Sequence, residues 1–359
     1  MLKNRKLQIA LGLLIAIACL IFVKRGDLSE SVYQRVASKR MLNDLTTDLQ
    51  DGLHLILCGA GAPLPDPERS GPCALVIAGE TILVIDAGTG GSRNLSTMQV
   101  PQGEIDALLL THFHSDHIDG LGELAMQRWV NGANTSPLPV YGPDGVSQIV
   151  NGFNMAYDLD ASYRQAHHGD SVAPLSGSGM IAIEVVAPLQ GEQTQVLEKD
   201  GLTVTMFTVN HAPISPAVGY RFDYKGRSLV ISGDTSKSEN LQRISKDVDL
   251  LVHEALAPNL VMALNRGAAS AGNTIVEKIT HDILDYHTSP KQAAEIAYAA
   301  NVKHLLFYHI VPALIVPGSK AAFLKGVDSA YQGEVTIGQD GTMISLPSDS
   351  DKIISSKLL

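Results

Sequence analysis

Across residues 7–23 the chain is apolar at every position except Gln8, with Lys3, Arg5 and Lys6 before the run and Lys24 and Arg25 after it. A stretch of this length over residues 1–25 reads as an export signal or a membrane anchor. No small-x-small site closes it, and Ala16, Ile17 and Ala18 make a poor lipoprotein site before Cys19, so an uncleaved anchor is expected rather than a shed peptide. A short positive tail predicts a cytoplasmic N-terminus, with the remainder held at the inner membrane and facing the periplasm or the outside. Residues 26–50 are mixed and charged, with Leu42, Leu45 and Leu49 at helical spacing. They read either as a juxtamembrane linker or as a helix packed on the domain C-terminal to it.

From Gly52 the pattern changes to short β-branched apolar runs broken by Gly and Pro: 53–58, 73–77, 82–85, 108–111, 181–186, 202–209, 228–232, 250–252 and 305–308. Each is of strand length. Helical spacing appears at 118–130, around 259–286 and at 290–301, where Pro290 suits a first turn and Ala293, Ala294 and Ala297 permit close packing. Strands interspersed with a few helices predict an α+β domain of mixed sheets covered by helices, spanning about residues 51–346. Residues 347–359 are expected to be a frayed polar tail.

With 359 residues, 45% hydrophobic and 18% charged, the chain can bury one large core or two modest ones. Its net charge of -10 and the lack of a basic patch speak against polyanionic partners. Of the three cysteines, Cys58 and Cys73 allow at most one disulfide within the domain. The preferred reading of the pair is two small buried hydrophobes, and their spacing is not that of metal-binding cysteines.

The chemistry concentrates at IDALLLTHFHSDHID, residues 105–119. A buried strand ends at Thr111, His112 and His114 alternate to the same side of an extended segment, and Asp116 and His117 sit where a helix begins. Four ligand-type residues in six positions need charge compensation, which two divalent cations would supply. Three further ligand types each follow a strand: His211, Asp234 within ISGDT, and His309.

In this loop and its three later partners the chain resembles the metallo-β-lactamase superfamily. The resemblance implies a four-layer αββα sandwich over nearly all of residues 52–346. It also implies one zinc held by His112, His114 and His211, a second by Asp116, His117 and His309, and Asp234 bridging both. Manganese or iron would suit these ligand types nearly as well. Within the superfamily the chain is most similar to the ribonuclease Z and bacterial zinc-dependent arylsulfatase group. That similarity rests on the runs His253-Glu254-Ala255 and His287-Thr288-Ser289, with the glycine-rich stretches CGAGAPLPDPERSGPCALVIAG (58–79) and VIDAGTG (84–90) closest to the arylsulfatase branch. Gly59, Gly61, Gly88 and Gly90 are expected to let the backbone turn tightly beside the metals.

The metals would lower the pKa of a bound water toward roughly 7 and supply the nucleophile as hydroxide. Asp116 would orient or deprotonate that water. By the analogy, His287 would protonate the leaving group and Glu254 would orient His287. His253 reads as structural.

The ribonuclease Z enzymes that mature transfer RNA carry a long basic arm between the third histidine and the bridging aspartate. Here only 23 residues lead from His211 to Asp234. With the acidic charge and the export segment, this points away from nucleic acid and toward sulfate esters or phosphodiesters of small molecules. A ribonuclease Z-type transfer RNA 3′ endonuclease, a lactone or thioester hydrolase, and a non-catalytic binding module stabilised by metal are the alternatives. The oligomeric state is left open by the sequence.

Overall fold

The computed structural model describes residues 2–359, which divide into two compact units at the Asp48–Leu49 junction. The first holds helix α1 (Leu2–Met41) and a single 3-10 turn at Leu45–Asp48. From Arg5 to Met41 this helix is long and apolar enough to cross a membrane, with a mean hydropathy of 2.5 in its most apolar stretch. The sequence places a boundary at residue 25, but the helix continues through the expected linker to Met41. Lys24 and Asp27 pair at 3.0 Å one turn apart, and no proline interrupts them.

The second unit contains fifteen strands. In chain order they are β1 (Gly52–Gly59), β2 (Cys73–Ala78), β3 (Thr81–Ile85), β4 (Ala107–Leu109), β5 (Leu138–Gly142), β6 (Met180–Glu184), β7 (Thr194–Lys199), β8 (Leu202–Thr208), β9 (Val218–Tyr224), β10 (Arg227–Ile231), β11 (Leu250–Leu256), β12 (His304–Val311), β13 (Glu334–Ile337), β14 (Thr342–Pro347) and β15 (Ile354–Lys357). The helices of this unit are α2 (Gly91–Thr97), α3 (Ser115–Ile118), α4 (Leu121–Gly132), α5 (Val146–His168), α6 (Glu239–Ile244), α7 (Pro258–Ser270), α8 (Thr274–Asp282), α9 (Pro290–Ala299), α10 (Ser319–Phe323) and α11 (Val327–Ala330).

One sheet runs β15-β14-β1-β2-β3-β4-β5-β6 and the other β13-β12-β11-β10-β9-β8-β7. Each has a parallel half, β3 to β6 and β10 to β13, and is otherwise antiparallel. The sheets face one another across a core that includes Leu55, Val76, Leu83, Leu109, Met206, Phe222, Val252 and Leu306. On the outer face of the second sheet, Phe207, Val230, Leu251 and Phe307 pack on α6 and α9, where Ala293, Ala294 and Ala297 bring the helix close. This is the expected α+β sandwich, two sheets flanked by helices. The β-branched runs follow from it, because strands covered on both faces have few polar positions.

Three elements differ from the sequence reading. The 23-residue α5 was not anticipated, because only Val146 and Val150 on it are buried and its outer positions are apolar, which erases the amphipathic contrast. Residues 347–359 are not wholly a frayed tail, since β15 pairs antiparallel with β14. Its side chains are all exposed, so only backbone pairing defines it. Cys58 and Cys73, expected as separate small hydrophobes, form a disulfide. A register shift in the β1–β2 pair sets Gly59 opposite Cys73 and leaves the Cα atoms of the two cysteines 5.0 Å apart, within bridging range.

Candidate metal centre

The carboxyl ends of parallel strands are where open sheets place ligands, and both parallel halves end at the same spot. Thr111 follows β4 and is pinned there by Asp86, which follows β3. One Asp86 oxygen accepts from the Thr111 amide at 2.8 Å and the other from its hydroxyl at 2.8 Å. The chain then runs extended through His112 and His114 and turns into α3 at Asp116 and His117. Gly88 allows this loop to sit down, because a Cβ there would lie 2.5 Å from the Asp116 carbonyl and 2.4 Å from Gly71. The expected role of this glycine as a turn residue is therefore better stated as close backbone approach.

His211 sits in the loop after β8, and its Nδ1 donates to the Tyr286 carbonyl at 2.9 Å, which leaves Nε2 facing inward. Asp234 follows β10. His309 is the extra residue of a bulge in β12: Glu254 pairs with Tyr308, Ala255 pairs with Ile310, and His309 between them has φ 43°. Bulges re-aim side chains, and this one turns His309 out of the sheet toward Asp234.

The seven expected ligand residues come together. His112 Nε2 and His114 Nδ1 are 3.0 Å apart, and His211 Nε2 lies 3.5 Å from His114 Nδ1. On the other side His309 Nε2 is 3.3 Å and His117 Nε2 3.6 Å from Asp116 Oδ2. Asp234 Oδ2 lies between the groups, 3.2 Å from His309, 3.4 Å from His117, 3.8 Å from His112 and 3.9 Å from His211. The ligand atoms of the set His112, His114, His211 and Asp234 lie within 4.8 Å of one another, and so do those of Asp116, His117 and His309.

The electrostatics fit cations. Burial pushes the His112, His114 and His211 rings down, toward the neutral form that binds metal. Burial also opposes charge on Asp234 and Asp116, yet the neighbouring imidazoles His309 and His117 hold both carboxyls below the usual range. His117 is wholly buried, which disfavours its cation, but Asp234 and Asp86 outweigh that and raise it well above the ordinary value. Asp234 Oδ1 and His117 Nε2 are buried with no hydrogen-bond partner. Buried polar atoms are rarely left so, and two divalent cations would satisfy them.

The remaining predicted pair stands beside the cluster. His287 Nδ1 lies 3.3 Å from Glu254 Oε1, and Glu254 in turn accepts from the Thr288 amide at 2.9 Å and the Thr235 amide at 3.3 Å. Burial works against a charged His287, but the Glu254 carboxylate overcomes it and the ring is pushed up to about 9. His287 is also within ligand distance of Asp234 and His309, so its free face looks into the cluster. His253 is fully buried, with Nδ1 on the Glu254 carbonyl at 2.7 Å.

Sequence reading missed Asp86, whose Oδ2 also holds His117 Nδ1 at 2.8 Å, and the Tyr286 carbonyl. An aspartate directly after a buried strand was the available signal for the first. A backbone carbonyl leaves none. Two grooves adjoin the cluster. One of about 370 Å³ is lined by Ala62, Leu64, Arg69, Asp116 and Asp119, and one of about 380 Å³ by Leu189, Val209, Asn210, His211 and Ile214.

A two-sheet sandwich with this histidine and carboxylate cluster at its strand ends defines the metallo-β-lactamase class of hydrolases. The sequence profile described as the Beta-lactamase superfamily domain matches residues 81–310, and the chain belongs to that superfamily. It is 33% identical over 290 residues to Ribonuclease Z of Mycobacterium bovis (strain BCG / Pasteur 1173P2), covering 80% of this chain and 96% of that one. It is 34% identical over 290 residues to Ribonuclease Z of Mycobacterium avium (strain 104), with the same coverage. Among solved structures, human tRNase Z, short form, superposes with a TM-score of 0.59 at 21% identity, covering 82% of this chain and 99% of that one. The metallo-β-lactamase fold protein YhfI of Bacillus subtilis gives 0.58 at 20% identity, covering 82% and 100%. These two likenesses bear on the fold alone.

Proposed function

We propose that the domain is a dinuclear metal-dependent phosphodiesterase in which His287 delivers a proton to the leaving oxygen. The observation that carries this reading is the Glu254–His287 pair, held at 3.3 Å beside a seven-residue ligand cluster. A carboxylate-backed imidazole suits an ester whose alkoxide leaves poorly, as in phosphodiesters. The mycobacterial relatives, named for ribonuclease activity, support phosphodiesters ahead of the sulfate esters that the sequence alone put level with them.

In this proposal His112, His114, His211 and Asp234 would hold one cation, and Asp116, His117, His309 and Asp234 the other. Zinc suits the donors, as do manganese and iron. When bound, the cations neutralise phosphoryl oxygens and acidify a water. Asp116 orients that water, and His287 stands ready to protonate the departing oxygen, with Glu254 fixing its tautomer.

We favour a small phosphodiester. From residue 49 onward the chain carries 19 Lys and Arg against 33 Asp and Glu, a poor surface for a polyanion. Arg69, the one basic residue lining either groove, is spent on Asp66 at 3.1 Å and on the Gly338 carbonyl at 3.0 Å. The Cys58–Cys73 disulfide suits an oxidising compartment, which agrees with α1 acting as an uncleaved export anchor. Transfer RNA 3′ processing is the second reading, favoured by the names of the relatives.

Metal-loaded full-length protein in detergent should hydrolyse bis(p-nitrophenyl) phosphate, and Asp234→Ala should abolish turnover. Absence of diester cleavage at two bound metals per chain would overturn the proposal. Efficient 3′ trimming of precursor transfer RNA by the same preparation would replace the first substrate reading with the second.

A further inference from the structure

The two grooves that adjoin the ligand cluster differ in charge. The one of about 370 Å³ carries Asp119 and the Asp66–Arg69 ion pair beside Asp116. The one of about 380 Å³ runs along His211 and, among the described residues, has no Asp, Glu, Lys or Arg and no Phe, Tyr or Trp in its walls. Its apolar side chains include Leu189, Val209, Ala212, Ile214 and Ala217. Leu189 is 72% exposed, so the groove also has an apolar rim.

The walls of this uncharged groove are preformed. The Thr208 hydroxyl at the end of β8 donates to the Pro188 carbonyl, and the Glu192 amide donates to the Leu189 carbonyl at 2.9 Å, which ties down the loop bearing Leu189. The stretch 209–217 closes on itself, with the Val209 amide donating to the Ala217 carbonyl at 3.0 Å and the Ile214 amide to the His211 carbonyl at 2.9 Å. Ile214 is thereby fixed beside a proposed metal ligand, and whatever fills the groove lies against the reacting centre. Walls that need no ordering leave more of the burial free energy for binding.

We infer that this groove takes an alkyl ester arm, so that the substrate is an amphiphilic phosphodiester. The inference rests on the phosphodiester reading of the centre and adds the nature of one ester substituent. A charged arm would lose its water here and find no partner. A nucleoside would find no ring to stack on and no cation for its next phosphate. An alkyl chain loses nothing and buries its methylenes against Leu189, Val209 and Ile214. The other groove suits such a chain poorly, because it would take water from the exposed Asp119 carboxylate.

The test is a series of 4-nitrophenyl alkyl phosphates, methyl to hexyl, with metal-loaded full-length protein in lipid nanodiscs, where no detergent competes for the groove. The value of kcat/KM should rise about two- to fourfold per methylene, roughly thirtyfold or more between methyl and hexyl. By calorimetry, hexylphosphonate should bind more tightly than methylphosphonate by a similar factor. Leu189→Asp, at an exposed position, should cut the hexyl-to-methyl ratio about tenfold. Ile275→Asp, equally exposed at 72% but outside the groove, should leave that ratio alone. The thymidine 5′-(4-nitrophenyl) diester should be cleaved less efficiently than the hexyl one. Failure of every diester with the calorimetric preference intact would overturn the phosphodiester reading alone. A flat series, equal affinity for the two phosphonates, a slope that survives Leu189→Asp, or a nucleoside diester preferred over the hexyl one would overturn the alkyl arm.

Discussion

Asp86 offers a sharp test of how the proposed second metal position is built. Its carboxylate accepts from the Thr111 amide, the Thr111 hydroxyl and His117 Nδ1, all at 2.8 Å, and the residue is only 1% exposed. In Asp86→Ala the hydroxyl can still turn to His112 Nδ1, 3.1 Å away, but the amide and the imidazole N–H are left buried without acceptors. At about 1–3 kcal/mol for each of these two orphaned groups, the loss is about 2–6 kcal/mol, a large part of a typical domain's 5–15 kcal/mol. Asp86→Asn is more discriminating. The amide oxygen can still serve the Thr111 backbone, but its NH2 would then meet the His117 N–H. His117 can relieve that clash only by moving its proton to Nε2, the atom that faces Asp116 and Asp234 and would carry the metal. The expected outcome is a modest loss of metal-free stability, about 1–2 kcal/mol, with affinity for one of two cations falling about 10–100-fold. Metal content after dialysis against a graded chelator series, read beside thermal unfolding of the apo protein, separates the two effects. Two equally tight cations in Asp86→Asn would show that His117 does not depend on Asp86 for its tautomer.

Three further variants give four expected outcomes. Glu254→Gln should move the basic limb of the pH–rate profile downward: the carboxylate holds His287 up to about 9, so without it the proton is lost at lower pH, and an unmoved limb would separate the two residues. The same interaction stabilises the fold below the unfolded histidine value of about 6.5 and is lost as pH rises through about 9, so the stability difference between wild type and Glu254→Gln should shrink above that pH. His287→Ala should lower turnover of alkyl diesters about 10²–10⁴-fold but spare nitrophenyl diesters, and equal losses would remove the proton-donor role. Cys58→Ala with Cys73→Ala opens a loop closed across 15 residues and should lower stability by about 3 kcal/mol, an effect that reductant should reproduce in wild type and not in the variant.

What could be read from the sequence divides along physical lines. The loop 112–117 was legible because ligand residue types crowd into six positions, where packing alone gives no reason for them. His211, Asp234 and His309 were legible as ligand types just beyond strands, and the sandwich topology gathers strand ends. The bulge that turns His309 inward, at φ 43°, leaves no mark in the run LLFYHIV, since backbone registry depends on the neighbouring strand. Asp86 lay in plain view within VIDAGTG, but its partners are 25 and 31 residues away. The disulfide was undervalued because cysteines at buried strand positions look like any small apolar residue until the strand register is known. Helix α5 failed for the opposite reason. Its outer positions are apolar as well, so helical spacing shows too little polar contrast to be read.

The proposed metal ligands and the proposed proton donor cannot be varied independently. Three consecutive residues join them: the Tyr286 carbonyl fixes His211 Nδ1 at 2.9 Å, His287 faces the cluster, and the Thr288 amide donates to Glu254 Oε1 at 2.9 Å. The Thr288 hydroxyl reaches the carbonyl of Thr235, the residue after Asp234, at 2.6 Å. One short segment therefore sets the tautomer of His211, a proposed ligand, on one side, positions His287, the proposed acid, on the other, and ties in the strand end that carries Asp234. Helices α7 and α8 lead directly into it, and only Val261, Ala268 and Thr280 of the two are buried. With so little anchoring, displacement of this helical pair would disturb His211 and His287 together. A His287 variant that loses activity thus identifies a proton donor only where metal content is intact. Leaving-group dependence measured on protein with intact metal content is therefore the decisive measurement.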